Sequence, residues 1–357
     1  MPAGTLSPPT VRRRAVLAAL TGAGMIVLAA CGSDAGAGPR LTADAAIPDT
    51  VPAGTSLSIA VHTTEIQLKT TGKISELPFT VSEWPTVAAG PDVIQAFRAN
   101  AVDVATNAGI PPIQAHATGL DAKIVAVQLK TTPTFKLATA PGSAITELSD
   151  LRGKKIAFAA GQAQGVVVLR TLQELGLEKK DVQLIELNSP QFLTALQSRQ
   201  VDVAPLGEPT LTKYLNQYGK DGARAVVTPA VDALTILWAP ARVLADPAKA
   251  AAIKAFIPYW ARAQVWAWEN KDKWIDAYYV KDQQVSAADG RRIVESNAKP
   301  SFPTSWDAAI KWEQDTIEVV SKWGYFGKSF NAADVFDRRF EGVAAAAVPA
   351  DYRIAQS

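Results

Sequence analysis

The chain has 357 residues, with 36 Lys and Arg against 34 Asp and Glu, two His and one Cys. That length buries a large core and divides into about two domains, while one cysteine excludes an internal disulfide framework and Cys-rich zinc or iron–sulfur sites. Two histidines leave little for a His-based metal cluster, and a net charge of +2 lacks the basic excess of a nucleic-acid binder. At the N-terminus, Arg12, Arg13 and Arg14 precede an apolar run from Ala15 to Ala30 that ends in Leu28-Ala29-Ala30-Cys31-Gly32. A basic region, an apolar region and small residues before a cleavage point make a secretory signal. The run carries Thr21, Gly22 and Gly24 and is shorter than the ~20 residues a membrane span needs.

Leu28-Ala29-Ala30-Cys31 resembles the lipobox of bacterial lipoproteins, in which the cysteine thiol is acylated and the chain is cut in front of it. Arg13-Arg14-Ala15-Val16-Leu17 also loosely resembles a twin-arginine signal. The expected organisation is therefore a signal peptide over 1–30 and a lipidated Cys31. Removing residues 1–30 takes away three Arg and no acid, moving the formal charge from +2 to −1. The Gly-, Ala-, Thr- and Pro-rich stretch 31–55 has few large apolar residues and reads as a flexible tether.

From Ser56 the pattern changes. Ser56 to Val61 is a short buried-strand candidate, and Phe79 to Trp84 alternates apolar and polar. Pro91 opens a helix running to Asn100; Val102 to Ala105 follows, then a helix near Pro112–Thr118 and a strand over Lys123–Leu129. Lys154–Ala159 reads as a strand, 160–165 as a loop, and Val166–Leu175 as a helix stopped by Gly176. Ala225–Val227 and Leu234–Trp238 are further β-rich runs. Alternation of this kind predicts an α/β fold with largely parallel sheets. Trp260, Trp266, Trp268, Trp274, Trp306, Trp312 and Trp323 crowd the helical remainder and are expected to pack helices together.

The chain repeats itself. Ala96-Phe-Arg-Ala-Asn-Ala-Val-Asp-Val-Ala105 matches Ala195-Leu-Gln-Ser-Arg-Gln-Val-Asp-Val-Ala204 at an offset of 99 residues, each after a helix that starts at a proline, Pro91 or Pro190. Two similar lobes would produce this grammar.

Together with Gly109-Ile-Pro-Pro-Ile-Gln-Ala115 and Leu148-Ser-Asp-Leu-Arg-Gly-Lys-Lys-Ile-Ala157, the stretch Gly90–Ala105 resembles type II periplasmic-fold solute-binding proteins of ABC importers, in the sulfonate/taurine/nitrate branch. The resemblance covers about Leu57 to Phe330. It implies a two-lobed clam-shell α/β fold with crossings near Thr132–Lys136 and Pro229–Thr235. Lobe one would be 56–134 plus 233–345, and lobe two 135–232. It further implies an extracytoplasmic, lipid-anchored monomer that captures a small organic anion and passes it to a permease driven by a separate ATPase, with no cofactor, resident metal or nucleic acid.

In parallel α/β sheets, ligands bind beyond the carboxyl ends of strands, where helix N-termini offer unpaired N–H groups to an anion. Four loops meet this condition: His62–Glu65, Asn107–Ile110, Gly161–Gly165 and Leu206–Pro209. None carries Lys or Arg. Thr63, Thr64, Asn107, Gln162 and Gln164 are candidate side-chain donors, with Gly109, Ala163 and Gly165 offering backbone; Trp84 and Trp238 are candidate walls. Glu208 departs from the family pattern and favours a taurine-like or hydrogen-bond-donating ligand over nitrate, unless it is a solvated residue at a helix start. The stretch Thr64–Glu83, short and Thr-rich, fits the family's first helix poorly.

Other classes are weighed on the same residues. The fold also hosts enzymes, but an acylated Cys31 is no nucleophile, no Gly-x-Ser-x-Gly elbow accompanies His62, and no phosphate loop or dinucleotide fingerprint appears; His116 reads as a surface or packing residue. A receptor for a thiamine-type pyrimidine precursor, or for an aromatic carboxylate or sulfonate stacked on Trp84, is the runner-up. A structural surface lipoprotein would show no ligand-induced closure.

Overall fold

The computed structural model describes residues 40–355 apart from residue 328, so Cys31, the three arginines and the start of the expected tether lie outside the described residues. The described residues form one compact unit. Residues 40–55, read as part of the tether, lie on the body instead. The Leu41 N–H donates to the Ala245 carbonyl at 2.8 Å, Ile47 is buried, and Arg339 donates to the Thr42 and Ala45 carbonyls. Three apolar side chains, Leu41, Ile47 and Val51, suffice to lay this stretch against the core.

The first sheet is built from β1 (Ser56–Ala60), β2 (Thr80–Glu83), β3 (Val104–Ala108) and β4 (Ala122–Leu129), with α1 (His62–Thr71), α2 (Gly90–Arg98) and α3 (Ile110–Ala117) between them. The chain then builds β5 (Phe135–Thr139), β6 (Lys155–Phe158), α4 (Ala163–Glu174), β7 (Gln183–Glu186), α5 (Phe192–Gln197), β8 (Val203–Gly207), α6 (Thr210–Tyr218) and β9 (Ala225–Val227). It returns in β10 (Leu234–Pro240), α7 (Ala241–Leu244), α8 (Pro247–Glu269), α9 (Lys271–Trp274), a π-helical stretch Ile275–Asp282, α10 (Ala287–Ser296) and α11 (Asp307–Lys322).

The strand orders are β2-β1-β3-β10-β4 and β7-β6-β8-β5-β9. In each sheet β1 or β6 pairs in parallel with both its neighbours, and one strand runs against the rest: β10 between β3 and β4, β5 between β8 and β9. These antiparallel strands are the two that enter directly after a crossing. The chain crosses between Leu129 and Phe135 and again between Val227 and Leu234, so each sheet is completed by a strand delivered by a crossover. The strands β4, β6, β8 and β10 are mostly apolar and buried, as a sheet covered on both faces requires, while the edge strands β2 and β7 are partly exposed.

The repeated decapeptide does the same work in both sheets. Asn100 and Arg199, equivalent under the 99-residue offset, both adopt the left-handed conformation, with φ 59° and 57°. Asp103 Oδ2 accepts the Ser58 N–H at 3.0 Å in the middle of β1, just before its pairing with β3, and Asp202 Oδ2 accepts the Lys155 N–H at 2.8 Å at the start of β6. The Asp103 N–H donates to the Ser58 carbonyl and that of Asp202 to the Lys155 carbonyl. Each aspartate thus zips one parallel strand to its neighbour where their pairing begins, which explains why Val-Asp-Val-Ala recurs.

The main departure is at α1. The His62–Glu65 loop is instead the first turn of a ten-residue helix, ended by Gly72 at φ 74°. Its buried face is Thr64, Gln67 and Leu68, largely polar, so apolar periodicity does not announce it. Thr70 and Thr71 satisfy their hydroxyls on the Ile66 and Gln67 carbonyls, and Lys69 pairs with Glu65 one turn away.

Most of the tryptophans pack helices. Trp260 meets Phe302 edge-on at 5.7 Å, Trp306 lies beside Phe336, Trp323 is buried, and the Arg170 guanidinium sits 4.2 Å over Trp312. Trp268 and Trp274 instead line a cleft. Among the described residues no helix is long and apolar enough to cross a membrane.

Candidate ligand cleft

A cleft of about 610 Å³ lies where the first crossover leaves one sheet for the other. Its walls come from both sheets: Thr63 and Gln67 of α1 and Gln128 of β4 on one side, Phe135 and Lys136 of β5, Glu208 and Leu211 on the other. Lys130 and Thr132–Thr134 of the crossover line it between them. The C-terminal region closes a further side with Trp268, Trp274, Tyr278, Tyr279 and the segment 296–300.

The π-helical stretch shapes that side. Its wide turn brings Tyr278 and Tyr279, neighbours in sequence, both onto the cleft. Trp274 and Tyr278 stack in parallel, centroids 4.7 Å apart and planes 1° apart, and Tyr279 meets both edge-on. Burial raises the Tyr278 phenol well above the ordinary tyrosine range, helped by the carboxylate of Asp282, and raises that of Tyr279, helped by Glu208 and opposed by a hydrogen bond with Asn297. These phenols remain neutral donors throughout the physiological range. His62, the one candidate base from the sequence, is tied to the same stretch, its Nε2 lying 3.0 Å from Asp282 Oδ1.

The charges around the cleft are mostly matched. Lys130 Nζ donates to Asp232 Oδ2 at 2.5 Å, Lys299 pairs with Asp351 at 2.6 Å, and Glu208 lies 3.5 Å from Arg292. Lys136 has no ion-pair partner among the described residues, and its side chain is exposed at the cleft. Gln67, itself buried, accepts from the Gln264 amide at 3.3 Å, and the Gln128 carbonyl oxygen has no partner.

Of the residues singled out from the sequence, the structure brings Thr63 and Glu208 together on this cleft. Glu208 acts first on its own helix: Oε2 accepts the Thr212 N–H at 3.2 Å and its hydroxyl at 2.5 Å, inside the first turn of α6. The helix N-terminus that would attract an anion already holds one, and Arg292 balances it.

The remaining residues lie beneath or beside the cleft. Thr64 is fully buried with an unpartnered hydroxyl. Asn107 Oδ1 accepts the Trp238 indole N–H at 2.9 Å, and Trp238 is fully buried, edge-on to Phe97. Trp84 packs on Phe256 at 6.2 Å. Gly109 caps α3 with no room for a side chain: an added Cβ would lie 1.8 Å from Glu313 Oε1. Gln162 is 3% exposed; its carbonyl oxygen accepts the Ser189 N–H at 3.1 Å, which fixes the amide and leaves Nε2 unpartnered at the start of α4. Ala163 and Gly165 are buried behind it, Gln164 half-buried. His116 stacks on Phe330 at 4.2 Å.

Sequence reasoning missed Lys136, Gln128, Trp268, Trp274, Tyr278 and Tyr279. One signal pointed to Lys136: it sits at the end of the crossing expected over Thr132–Lys136, and a crossing between two lobes necessarily runs through the cleft between them. Nothing in the spacing of the tryptophans separates the two that line the cleft from those that pack helices.

Two five-stranded, mostly parallel sheets flanked by helices and exchanging one strand each define the periplasmic-binding-protein fold. Residues 86–252 match the family model described as NMT1/THI5 like. The chain is 32% identical over 143 residues, 39% of its length, to an aliphatic sulfonates-binding protein of Escherichia coli (strain K12). That match spans 45% of the relative, less than half its length. A protein of the same name from Bacillus subtilis (strain 168) is 24% identical over 266 residues, 72% of this chain and 76% of that one. The alkanesulfonate-binding protein SsuA from Xanthomonas axonopodis pv. citri, solved bound to MOPS, superposes with a TM-score of 0.70 at 20% identity, over 82% of this chain and 99% of that one. The resemblance carried by Gly90–Ala105 and Leu148–Ala157 therefore holds: the chain is similar to the sulfonate-binding branch of solute-binding proteins.

Proposed function

We propose that this chain is the extracytoplasmic binding component of an ABC importer and captures a small organic anion of the sulfonate type. The observation that carries the reading is the cleft at the crossover, walled by both sheets and floored by the chain that joins them. A ligand there touches both halves at once. It therefore favours whichever arrangement brings Thr63 and Glu208 toward it together, and differential affinity of this kind is what moves a two-state equilibrium. On this reading 56–134 plus 233–345 and 135–232 are the two lobes.

The names of the Escherichia coli and Bacillus subtilis relatives support a sulfonate. Binding is the whole task, without chemistry on the ligand; the closed form docks on a permease, and a separate ATPase drives transport. Thr63 is the ligand contact among the residues proposed from the sequence. Gln162, Asn107, Gly109 and Trp238 hold the surrounding frame. The single chain works as a monomer, held to the membrane by an acylated Cys31 once residues 1–30 are removed.

A thermal-shift screen of alkanesulfonates, taurine, nitrate, aromatic carboxylates and pyrimidines tests the reading. A ligand at a hundred times its Kd stabilises by about 2.7 kcal/mol, a shift of several degrees for a domain of this size. No shift with any sulfonate rejects the sulfonate assignment, and a shift with the pyrimidine alone moves the chain to the precursor-receptor class. Metabolic labelling with a fatty acid, lost in Cys31→Ala, tests the anchor.

A further inference from the structure

Building on the sulfonate-receptor reading, we infer that the cleft is made for an organic anion with a broad, aromatic or similarly flat body, its charged group placed by Lys136. Three observations converge. The first is size. A two-carbon sulfonate displaces roughly four or five waters at ~30 Å³ each, whereas the cleft measures about 610 Å³ and so falls within the range of pockets that enclose ligands of drug-like size. A short alkanesulfonate would leave most of it wet.

The second is the wall. Trp268, Trp274, Tyr278, Tyr279 and Phe135 line the space. The parallel stack of Trp274 on Tyr278 gives a rigid surface with few rotatable bonds, and the π-helical turn adds Tyr279 beside it. Stacking and edge contacts against such a surface reward a flat apolar body and offer little to a chain of one to three carbons.

The third is charge. Lys130, Lys299 and Glu208 also face the space, but each is matched within the protein by Asp232, Asp351 and Arg292 respectively. Lys136 is the one charge lining the cleft with no partner among the described residues. It stands on β5, across the cleft from α1, so an anionic head at Lys136 leaves the body extending toward the aromatic side. The phenols of Tyr278 and Tyr279 stay protonated and add no repulsion to an anion.

Isothermal titration and tryptophan-fluorescence quenching of the chain without residues 1–30 decide the matter, with 2-naphthalenesulfonate, ethanesulfonate and neutral 2-naphthalenemethanol as probes. The aromatic sulfonate should bind about tenfold or more tighter than ethanesulfonate, and quench. Trp268→Ala should erase that advantage while leaving ethanesulfonate affinity within about twofold. Lys136→Met, at an exposed position that the fold does not depend on, should weaken the aromatic sulfonate about tenfold and leave the neutral alcohol unchanged. If ethanesulfonate binds as tightly as the naphthyl compound, or Lys136→Met changes nothing, this inference falls while the sulfonate-receptor reading stands. If no sulfonate of any size binds, both fall.

Discussion

Glu313 offers a direct test of how burial and charge are balanced near the crossings. It is 1% exposed, sits on α11 against the N-terminus of α3 at Gly109, and has an unpartnered Oε2. Burial is the largest influence on its carboxyl and the Asp232 carboxylate adds to it; the Arg170 guanidinium and the Lys130 ammonium pull the other way, and the net result is a pKa raised to about 8 from 4.5. Arg170 is itself engaged by Asp315, and Lys130 by Asp232, which weakens the help either can give. A carboxyl raised in the folded state stabilises the fold fully below its unfolded pKa, near 4.5, and that stability is lost as pH rises through 8. Between those limits the fold should lose up to ~1.4 kcal/mol per pH unit, tapering near pH 8, for a loss of roughly 2 kcal/mol between pH 6 and pH 8. At roughly 2 °C per kcal/mol for a domain of this size, Tm falls by about 4 °C. Glu313→Gln keeps the shape and removes the titration. Its Tm should match wild type near pH 5 and exceed it by several degrees at pH 8. The observable is the difference between the two curves, which cancels every titration the two proteins share. Parallel curves across pH 5–8 would refute a neutral, buried Glu313.

Further expectations follow from single contacts. Gly165→Ala places a Cβ 2.0 Å from the Ala159 carbonyl oxygen, a backbone atom that cannot swing aside, so Tm should drop by several degrees or soluble expression should fail. Gly161→Ala meets first the Gln114 side-chain amide, which can turn aside, and should be milder; equal losses would contradict the distinction. Glu208→Ala removes the cap of α6 and the partner of Arg292, with an expected loss of ~1 kcal/mol by urea unfolding. Asp202→Ala strips the acceptor for the Lys155 N–H, while Asp103→Ala also strands the Lys249 ammonium 2.7 Å away, so the Asp103 variant should be the less stable of the two.

Sheet strands were readable because fully buried parallel strands are short apolar runs, and the duplicated Val-Asp-Val-Ala even marks equivalent positions in the two sheets. The first helix was not readable, because two of the residues it buries, Thr64 and Gln67, are polar: Gln67 is satisfied by Gln264, nearly two hundred residues on, and the Thr64 hydroxyl has no partner. The same limit governs the site. Helix N-termini after strands are legible as anion seats, but what fills them is not. Glu313 reaches Gly109 from α11, and a carboxylate two hundred residues away leaves no mark on the loop it occupies. The Trp-rich tail was legible as helical and apolar, yet only its three-dimensional course divides Trp260 and Trp306, sealed in the core, from Trp268 and Trp274 on the cleft.

These fillings bear on where a ligand's charge goes. The N-terminus of α6 is held by Glu208, that of α3 abuts Glu313, and the Gln162 amide at α4 is fixed by Ser189 inside the body. A helix end already facing a carboxylate, as α6 faces Glu208, has little left to offer a second anion, since its half-charge is partly spent, and at α3 the buried Glu313 acid takes the space itself. The positive potential open to solvent is then carried by side chains, and among those lining the cleft Lys136 alone is unmatched. It lies just beyond the crossover. The same crossover holds Lys130, whose N–H donates to the Ala233 carbonyl at 2.7 Å and whose ammonium pairs with Asp232, joining the outgoing and returning chains. An anion at Lys136 therefore sits within a few residues of the bonds that set how the two sheets meet. On the proposed reading, binding at Lys136 and closure would be coupled through that short stretch of backbone, with no longer relay required.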